Sequence, residues 1–184
     1  MSRQRDGVAL SRRRFLSGSI RFAEKRPATE RLYLPWTTPE SILSACTGCE
    51  ACLQACPQKI IEKTASNRPT VNFAKGDCTF CEACCSVCDA PVFTLHETSA
   101  NGMRNAWALK AGIEDTCLAF KGVQCRACQD HCVPRAILFT PRLRAISTPE
   151  ISKIDCTGCG ACVSVCPANS IRVDEGKGRE IKRE

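Results

Sequence analysis

The stretch Cys46-Thr47-Gly48-Cys49-Glu50-Ala51-Cys52-Leu53-Gln54-Ala55-Cys56-Pro57 decides the fold of this chain. It places four thiols within eleven residues, at the spacing C-x2-C-x2-C-x3-C-P that is typical of the ligands of a [4Fe-4S] cluster. Gly48 removes a side chain where the backbone must pass close to the inorganic core, and it can adopt a positive φ. Pro57 ends the short helical turn that carries Cys52 and Cys56. The stretch therefore predicts a cluster-binding loop followed by one turn of helix.

The composition indicates that cysteines help to hold the fold. The hydrophobic fraction is 43%, but 17 of the 184 residues are cysteine and only 5% are aromatic. Without the cysteines, roughly a third of the chain is left to build an apolar core, which is thin. The length fits one medium domain or two small ones.

Two other classes of cysteine-rich protein are alternatives. A secreted disulfide scaffold is disfavoured because thiols two residues apart pair poorly as structural disulfides, and because the chain shows no convincing signal peptide. Structural zinc sites usually combine two separated C-x2-C pairs, which leaves the third cysteine of each triad unexplained. The spacing therefore favours iron–sulfur clusters over disulfides and zinc.

A second run with the regular spacing follows the first at a short distance. Two such runs are the layout of a two-cluster ferredoxin, in which the fourth cysteine of each run ligates the other cluster. The first predicted site, called site A here, comprises Cys46, Cys49, Cys52 and Cys88. The second, site B, comprises Cys78, Cys81, Cys84 and Cys56.

The third run departs from the regular spacing, whereas the fourth is regular. The third run follows C-x7-C-x2-C-x3-C, so its first cysteine is displaced by five extra residues that include Gly122. A loop insertion at this point still delivers four thiolates to iron, so we predict a cluster here as well. If the fourth cysteines of the third and fourth runs are exchanged in the same way, site C comprises Cys117, Cys125, Cys128 and Cys166. Site D comprises Cys156, Cys159, Cys162 and Cys132.

The repeat is visible directly, because CTGCEACLQACPQKII at 46–61 matches CTGCGACVSVCPANSI at 156–171. We therefore predict an α+β fold of two tandem ferredoxin-like modules, each built around two [4Fe-4S] clusters, with a basic N-terminal arm. Each module is too small to bury a core without its clusters. The predicted boundaries are 1–37 for the arm, 38–97 for the first module, 98–116 for a linker, 117–175 for the second module and 176–184 for a charged tail.

Four further residues are candidates for other roles. Cys85 directly follows Cys84 and belongs to no run. We interpret it as a small apolar side chain packed beside a cluster, with an alternative ligand and a redox-active thiol as the other readings. His96 and His131 are candidate metal ligands, although the thiols already suffice. Trp107 is predicted to pack between the modules rather than to contact a ligand.

Positive charge is concentrated near the start of the chain. Residues 1–32 hold nine Arg or Lys and three Asp or Glu, a net charge of +6 out of +7 for the whole chain. Because each all-cysteine cluster adds a charge of about −2, the rest of the protein becomes anionic once clusters are bound. The basic composition therefore describes the arm and does not indicate nucleic-acid binding.

Within the arm, Ser11-Arg12-Arg13-Arg14-Phe15-Leu16 is similar to the twin-arginine export motif. An export signal also needs an apolar core of about 7–15 residues and a small-residue cleavage site. Arg21, Glu24 and Lys25 interrupt the stretch that follows the motif, so we expect the protein to stay in the cytoplasm. No run approaches the ~18 apolar residues of a membrane span.

Three features together are more specific than the regular spacing, which many proteins share. They are the Ser-Arg-Arg-Arg sequence at 11–14, Pro35-Trp36 before the first run, and the irregular third run with its surroundings. The last reads Asp115-Thr116-Cys117-Leu118-Ala119-Phe120 and then Val123-Gln124-Cys125-Arg126-Ala127-Cys128-Gln129-Asp130-His131-Cys132. In these features the chain resembles the NapF ferredoxin-type accessory proteins of periplasmic nitrate reductase systems. The resemblance implies a cytoplasmic protein that meets the catalytic molybdenum/[4Fe-4S] subunit of that reductase before export and assists its maturation, through the supply or loading of its cluster.

Three functions are compatible with these observations. The first is a maturation factor for the reductase subunit, which the irregular run, the resemblance and the cationic arm favour. The second is a single-electron carrier, or polyferredoxin, that feeds a reductase, and the third is a structural zinc or cysteine-rich interaction module. No Ser/His/Asp or paired-carboxylate pattern indicates substrate turnover, so we expect no enzyme activity of the chain's own.

Overall fold

The computed structural model describes residues 32–94, 106–143 and 145–175, which alternate between short helices and short strands. The helices are α1 (Pro39–Ala45), α2 (Ala51–Ala55), α3 (Ala83–Ser86), α4 (Ala127–Asp130) and α5 (Ala161–Ser164). The strands are β1 (Ile61–Lys63), β2 (Pro69–Val71), β3 (Lys110–Ile113), β4 (Ile137–Arg142), β5 (Ala145–Ile151) and β6 (Ile171–Asp174). Within these described ranges, no helix has both the length and the apolar character needed to cross a membrane.

Helices α2 to α5 are single turns that each carry the third cysteine of a run as their second residue. In the three regular runs, the residue before the helix adopts a left-handed conformation: Glu50 (φ 66), Glu82 (φ 60) and Gly160 (φ 83). This conformation turns the chain sharply from the loop into the helix and aims the first three thiols of the run toward the same side. The helical turn predicted to carry Cys52 and Cys56 is present and contains Cys52, whereas Cys56 lies just past its end.

Helix α1 precedes the first run and is fixed by a capping box. The Thr38 hydroxyl accepts a hydrogen bond from the Ser41 amide (3.1 Å), and the Ser41 hydroxyl accepts one from the Thr38 amide (3.1 Å). Pro39 occupies the first turn, where its missing N–H costs nothing. The helix buries Ile42, which is 1% exposed, and thereby sets the position of Cys46 at its C-terminal end.

The strands form three two-stranded antiparallel sheets with the same pairing order in each half of the chain. Between the runs of each half lies a hairpin: β1 pairs with β2 (Ile61 opposite Val71) and β4 with β5 (Ile137 opposite Ile151). Around the runs lies an outer pair. In the second half this is β3 with β6, and in the first half it is a single bridge between Thr37 and Phe93.

Strand β3 lies within residues 98–116, for which the sequence predicts a linker. Its partner β6 follows the last cysteine run, and Ala111 stands opposite Val173 in the pair. Leu109 and Ala111 are both buried. The pairing therefore joins the end of this segment to the second half of the chain. No local pattern in the sequence predicts this long-range contact.

The β4–β5 hairpin was not among the predicted elements. Both strands contain proline, which cannot donate to a strand ladder and argues against a strand when read locally. Pro141 lies where the register shifts between Thr140 and Arg142, and Pro149 stands opposite Phe139. These two positions allow the hairpin to form despite its prolines.

The core is a single cluster of buried residues that runs through both halves. Its apolar members include Leu34 and Phe73, each 1% exposed, and Ile171, 2% exposed. Leu34 lies within the segment 1–37 that was predicted as an arm, and the Val71 amide donates to the carbonyl of Leu32 (3.0 Å). The end of that segment is therefore packed on the body of the protein. Five cysteines complete the buried cluster: Cys56, Cys84, Cys128, Cys156 and Cys162.

Candidate iron–sulfur sites

The loops that carry the first three thiols share one backbone feature. The residue before the second cysteine has a positive φ in all three regular runs: Gly48 (74), Phe80 (55) and Gly158 (73). Because Phe80 also adopts it, the conformation alone does not require glycine. Close approach does, since a Cβ on Gly48 would lie 2.3 Å from Nδ2 of Asn67 and one on Gly158 would lie 2.3 Å from the carbonyl oxygen of Leu109.

Site A surrounds a cavity with a volume of about 360 Å³. All four of its predicted thiols line this cavity, including Cys88 from the second run. Apolar side chains such as Ile42, Val92 and Phe93 form much of the remaining wall. Cys49 is exposed and the other three thiols are half-buried, so site A opens toward solvent.

Sites B and D surround much smaller cavities. Cys56, from the first run, lines a cavity of about 30 Å³ together with the three thiols of the second run. Cys132, from the third run, lines one of about 20 Å³ with the three thiols of the fourth run. In each case the structure places the fourth cysteine of one run beside the first three of its neighbour.

Site C is formed around the irregular run. Burial, together with the nearby charges of Cys117, Cys166 and Cys125, raises the pKa of Cys128 to about 11. These three thiols therefore lie near enough to Cys128 for their charges to act on it. Around sites A, B and D, the four predicted thiols line one cavity each.

Packing between the one-turn helices produces this crossed arrangement. Helix α2 contacts α3, and α4 contacts α5. Since the fourth cysteine follows each helix, the C-terminal end of one helix reaches the loop that precedes the other. Each pair of runs is thereby tied into one unit.

The inserted residues of the third run form a compact turn. The amide of Lys121 donates to the carbonyl of Cys117 (3.1 Å), and the amide of Val123 donates to that of Leu118 (2.9 Å). Gly122 takes a positive φ of 80 within this turn. The turn spans the extra residues and keeps Cys117 near Cys125, which explains how the displaced thiol stays with its group.

Several of the thiols resist ionisation. Burial, reinforced by neighbouring thiolates, raises the pKa of Cys52 to about 11 and that of Cys78 to about 12. Burial also raises the pKa of Cys162 and of Cys159, the latter with a contribution from the Asp77 carboxylate. Iron binding must therefore displace these protons, and cluster assembly is expected to release protons and to weaken as the pH falls.

Backbone amides donate to several of the sulfur atoms. The Ala136 amide donates to Sγ of Cys132 (3.2 Å), the Ser170 amide to Sγ of Cys166 (3.3 Å) and the Ala111 amide to Sγ of Cys156 (3.5 Å). Such bonds stabilise negative charge on sulfur and tune the reduction potential of a bound cluster. The sequence analysis did not identify these donors. Two of them lie four residues after the last cysteine of a run, which is the signal that could have found them.

Two of the other candidate residues, Cys85 and His131, are described by the structure and are not among the thiols that line the cavities. Cys85 is half-buried, packs against the core and hydrogen-bonds the Cys84 thiol, which lowers the pKa of Cys84. His131 is exposed, and its Nδ1 lies 3.0 Å from the carbonyl oxygen of Ala127. His96 lies outside the described residues.

The neighbours Cys84 and Cys85 allow a direct test of ligand assignment. Cys84→Ala is expected to lose the cluster of site B, about four of about sixteen irons per chain, because its thiol belongs to the group. Cys85→Ala is the matched control and should keep its full iron content. Iron and acid-labile sulfide are measured on anaerobically purified proteins. A loss of iron in Cys85→Ala with full iron content in Cys84→Ala would make Cys85 the ligand instead.

The donor set fits an iron–sulfur cluster, which exchanges single electrons when bound. Across residues 32–94, 106–143 and 145–175, no three His, Cys, Asp or Glu side chains converge tightly enough to hold a single ion. The thiols instead line cavities in groups of four. A [4Fe-4S] cluster takes one cysteine thiolate per iron, so its ligands surround a volume rather than a point.

Comparison with known proteins agrees with this chemistry. The family model of the 4Fe-4S dicluster domain matches residues 45–92 and 121–176. The second match begins after Cys117, the displaced cysteine of the irregular run.

Three relatives cover most of the chain. It is 39% identical to the ferredoxin-type protein NapF of Escherichia coli (strain K12), over 91% of this chain and 96% of that protein. It is 40% identical to the ferredoxin-type protein NapF of Haemophilus influenzae, over 79% of this chain and 80% of that protein. Identity to the methylamine utilization ferredoxin-type protein MauM of Paracoccus denitrificans is 29%, over 72% of this chain and 65% of that protein. No solved structure matches.

Proposed function

This chain belongs to the NapF family of ferredoxin-type proteins with 4Fe-4S dicluster domains, and we propose on that premise that it assists maturation of the catalytic subunit of periplasmic nitrate reductase. It meets that subunit in the cytoplasm, before export, and contributes to the loading of the subunit's [4Fe-4S] cluster. The observation that carries this proposal is the 39% identity to NapF over 91% of the chain, which extends through the irregular third run.

Four [4Fe-4S] clusters on sixteen cysteine ligands are the proposed cofactor content. The grouping of the thiols into sites A, B, C and D supports this number, since each group holds four cysteines. The sites consist of cysteine thiols, which fits an accessory protein that has no catalytic activity of its own. The open cavity of site A, with Cys49 exposed, is a place where a partner can approach a cluster.

Capture of the precursor tests the proposed partner. The full-length protein, tagged and isolated anaerobically from the cytoplasmic fraction, is expected to retain the catalytic subunit with its export signal still attached. A strain that lacks the gene should yield a reductase subunit deficient in about four irons, the content of one cluster. Complementation with Cys85→Ala should restore the iron, whereas Cys81→Ala, which removes an exposed thiol of site B, should restore it less well.

A single-electron carrier is the second candidate function. It is favoured by the contact of α2 with α3 and of α4 with α5, which sets neighbouring sites side by side as in an electron-transfer protein. The same gene deletion separates the two functions. A reductase subunit that is fully loaded with iron in the deletion strain, but receives electrons slowly, would reject the maturation role and support the carrier.

A further inference from the structure

The two modules meet through the loops of their inner sites. The amide of Cys78, in the loop of site B, donates to the carbonyl of Cys159, in the loop of site D, at 2.8 Å. These residues are far apart in sequence and belong to different modules. A backbone hydrogen bond between two ligand-bearing loops holds the two sites at a fixed and short separation.

Aromatic side chains surround this contact. The ring of Trp107 stands edge-on to those of Phe73 (centroids 5.8 Å apart) and Phe80 (5.5 Å), both from the first module. Its Nε1 donates to the carbonyl of Thr157 in the loop of site D (2.8 Å). The prediction that Trp107 packs between the modules is therefore confirmed.

The contact between the modules requires glycine at position 160. Glu50 and Glu82 hold the same left-handed position in the first and second runs, so the φ of 83 at Gly160 does not itself demand glycine. A Cβ on Gly160, however, would lie 2.0 Å from Cδ1 of Phe73. Glycine is needed here because the first module packs against the loop.

We infer that the four sites form one row in the order A, B, D, C, and that single electrons cross between the modules at the contact of Cys78 with Cys159. The helix contacts place A beside B and C beside D, and the loop contact places B beside D. The row therefore runs through the whole protein and has sites A and C at its ends. This inference rests on the proposed ligand sets and not on the maturation role.

The transfer involves one electron and no atom or proton. An electron enters at one end of the row from a low-potential one-electron donor, such as a reduced flavin. It leaves at the other end to an oxidised one-electron acceptor, such as a second iron–sulfur protein. The chain's own contribution is the rigid spacing of the inner loops, set by the Cys78–Cys159 hydrogen bond and by the packing of Phe73 on Gly160.

Electron paramagnetic resonance tests the inner contact. In full-length protein that carries Cys49→Ala and Cys125→Ala, sites A and C are lost and only B and D remain, one in each module. After reduction with dithionite, the two remaining clusters are expected to show spin–spin splitting. Gly160→Ala should reduce this splitting, and Phe73→Leu added to Gly160→Ala should restore it by removing the clash.

A matched control and a clear contrary result complete this test. Glu82→Ala places alanine at the equivalent left-handed position of site B, where the side chain is exposed, and should leave the splitting unchanged. A spectrum that equals the sum of two isolated clusters, in protein whose iron content shows both inner sites filled, would overturn the inference.

A second measurement needs neither of the site-removing variants. A specific protease site is placed between Ser99 and Ala100 of the otherwise unchanged holoprotein, which is then cut anaerobically. The two fragments are expected to co-elute in gel filtration, and to separate when Gly160→Ala is also present. Separation of the fragments without Gly160→Ala would show that the inner loops do not hold the modules together, and would reject the row.

Discussion

Removal of iron from the anaerobic holoprotein is expected to unfold both modules. Five cysteines of sites B, C and D are part of the buried core, and each sheet within residues 32–94, 106–143 and 145–175 has two strands. Isolated two-stranded hairpins and one-turn helices are marginal in water, so little structure remains once the thiols lose their common partner. For small metal-dependent domains, the free energy of cluster binding is in effect the free energy of folding.

Circular dichroism during chelation measures this loss. The starting protein should contain about sixteen irons per chain, and treatment with a chelator should abolish the cooperative thermal transition. Reconstitution with ferrous iron and sulfide is the control and should restore the transition, whereas zinc alone should not. An iron-free protein that keeps a cooperative transition would show that apolar packing alone holds the fold.

Crossed ligation is expected to give opposite outcomes for two double variants that share Cys49→Ala. Cys88 lines the cavity of site A, so Cys49→Ala with Cys88→Ala affects site A alone and leaves about three intact clusters. Cys56 lines the cavity of site B, so Cys49→Ala with Cys56→Ala affects both sites and leaves about two. The two results differ by a whole cluster.

Mössbauer spectroscopy of iron-57-labelled protein counts the intact clusters. The two variants remove the same number of thiols from the same module, so each is the control of the other. If every run kept its own fourth cysteine, the counts would be exchanged between the variants. That exchange would contradict the assignment of Cys56 and Cys88 and with it the crossed order of all four sites.

Local sequence was sufficient to predict the features that depend on the spacing of neighbouring residues. The first run predicted a loop and a one-turn helix, and both are present because Gly48, Cys52 and Pro57 act within a few residues of one another. The spacing also agrees with three of the cavities, since Cys88, Cys56 and Cys132 each line a cavity with the first three cysteines of the neighbouring run. The grouping of the displaced Cys117 with site C stays a prediction, and a short turn takes up the inserted residues.

Long-range packing could not be predicted from local sequence patterns. Strand β3 pairs with β6 across most of the second half, and the β4–β5 hairpin forms in spite of Pro141 and Pro149. The amides that donate to sulfur at Ala111 and Ser170 are ordinary backbone groups with no side-chain signature. These features depend on which segments meet in space.

The sequence by itself determined the chemistry of this protein, because four thiols per run at fixed spacings define where iron can bind. It also determined the repeat and the fourfold grouping of the cysteines. Only the tertiary structure decided that the two modules meet at their inner loops, through Cys78, Cys159 and the packing of Phe73 on Gly160. The reason is physical: ligand spacing is a local property of the backbone, whereas the absence of a side chain at Gly160 has meaning only beside the ring that would occupy the same space.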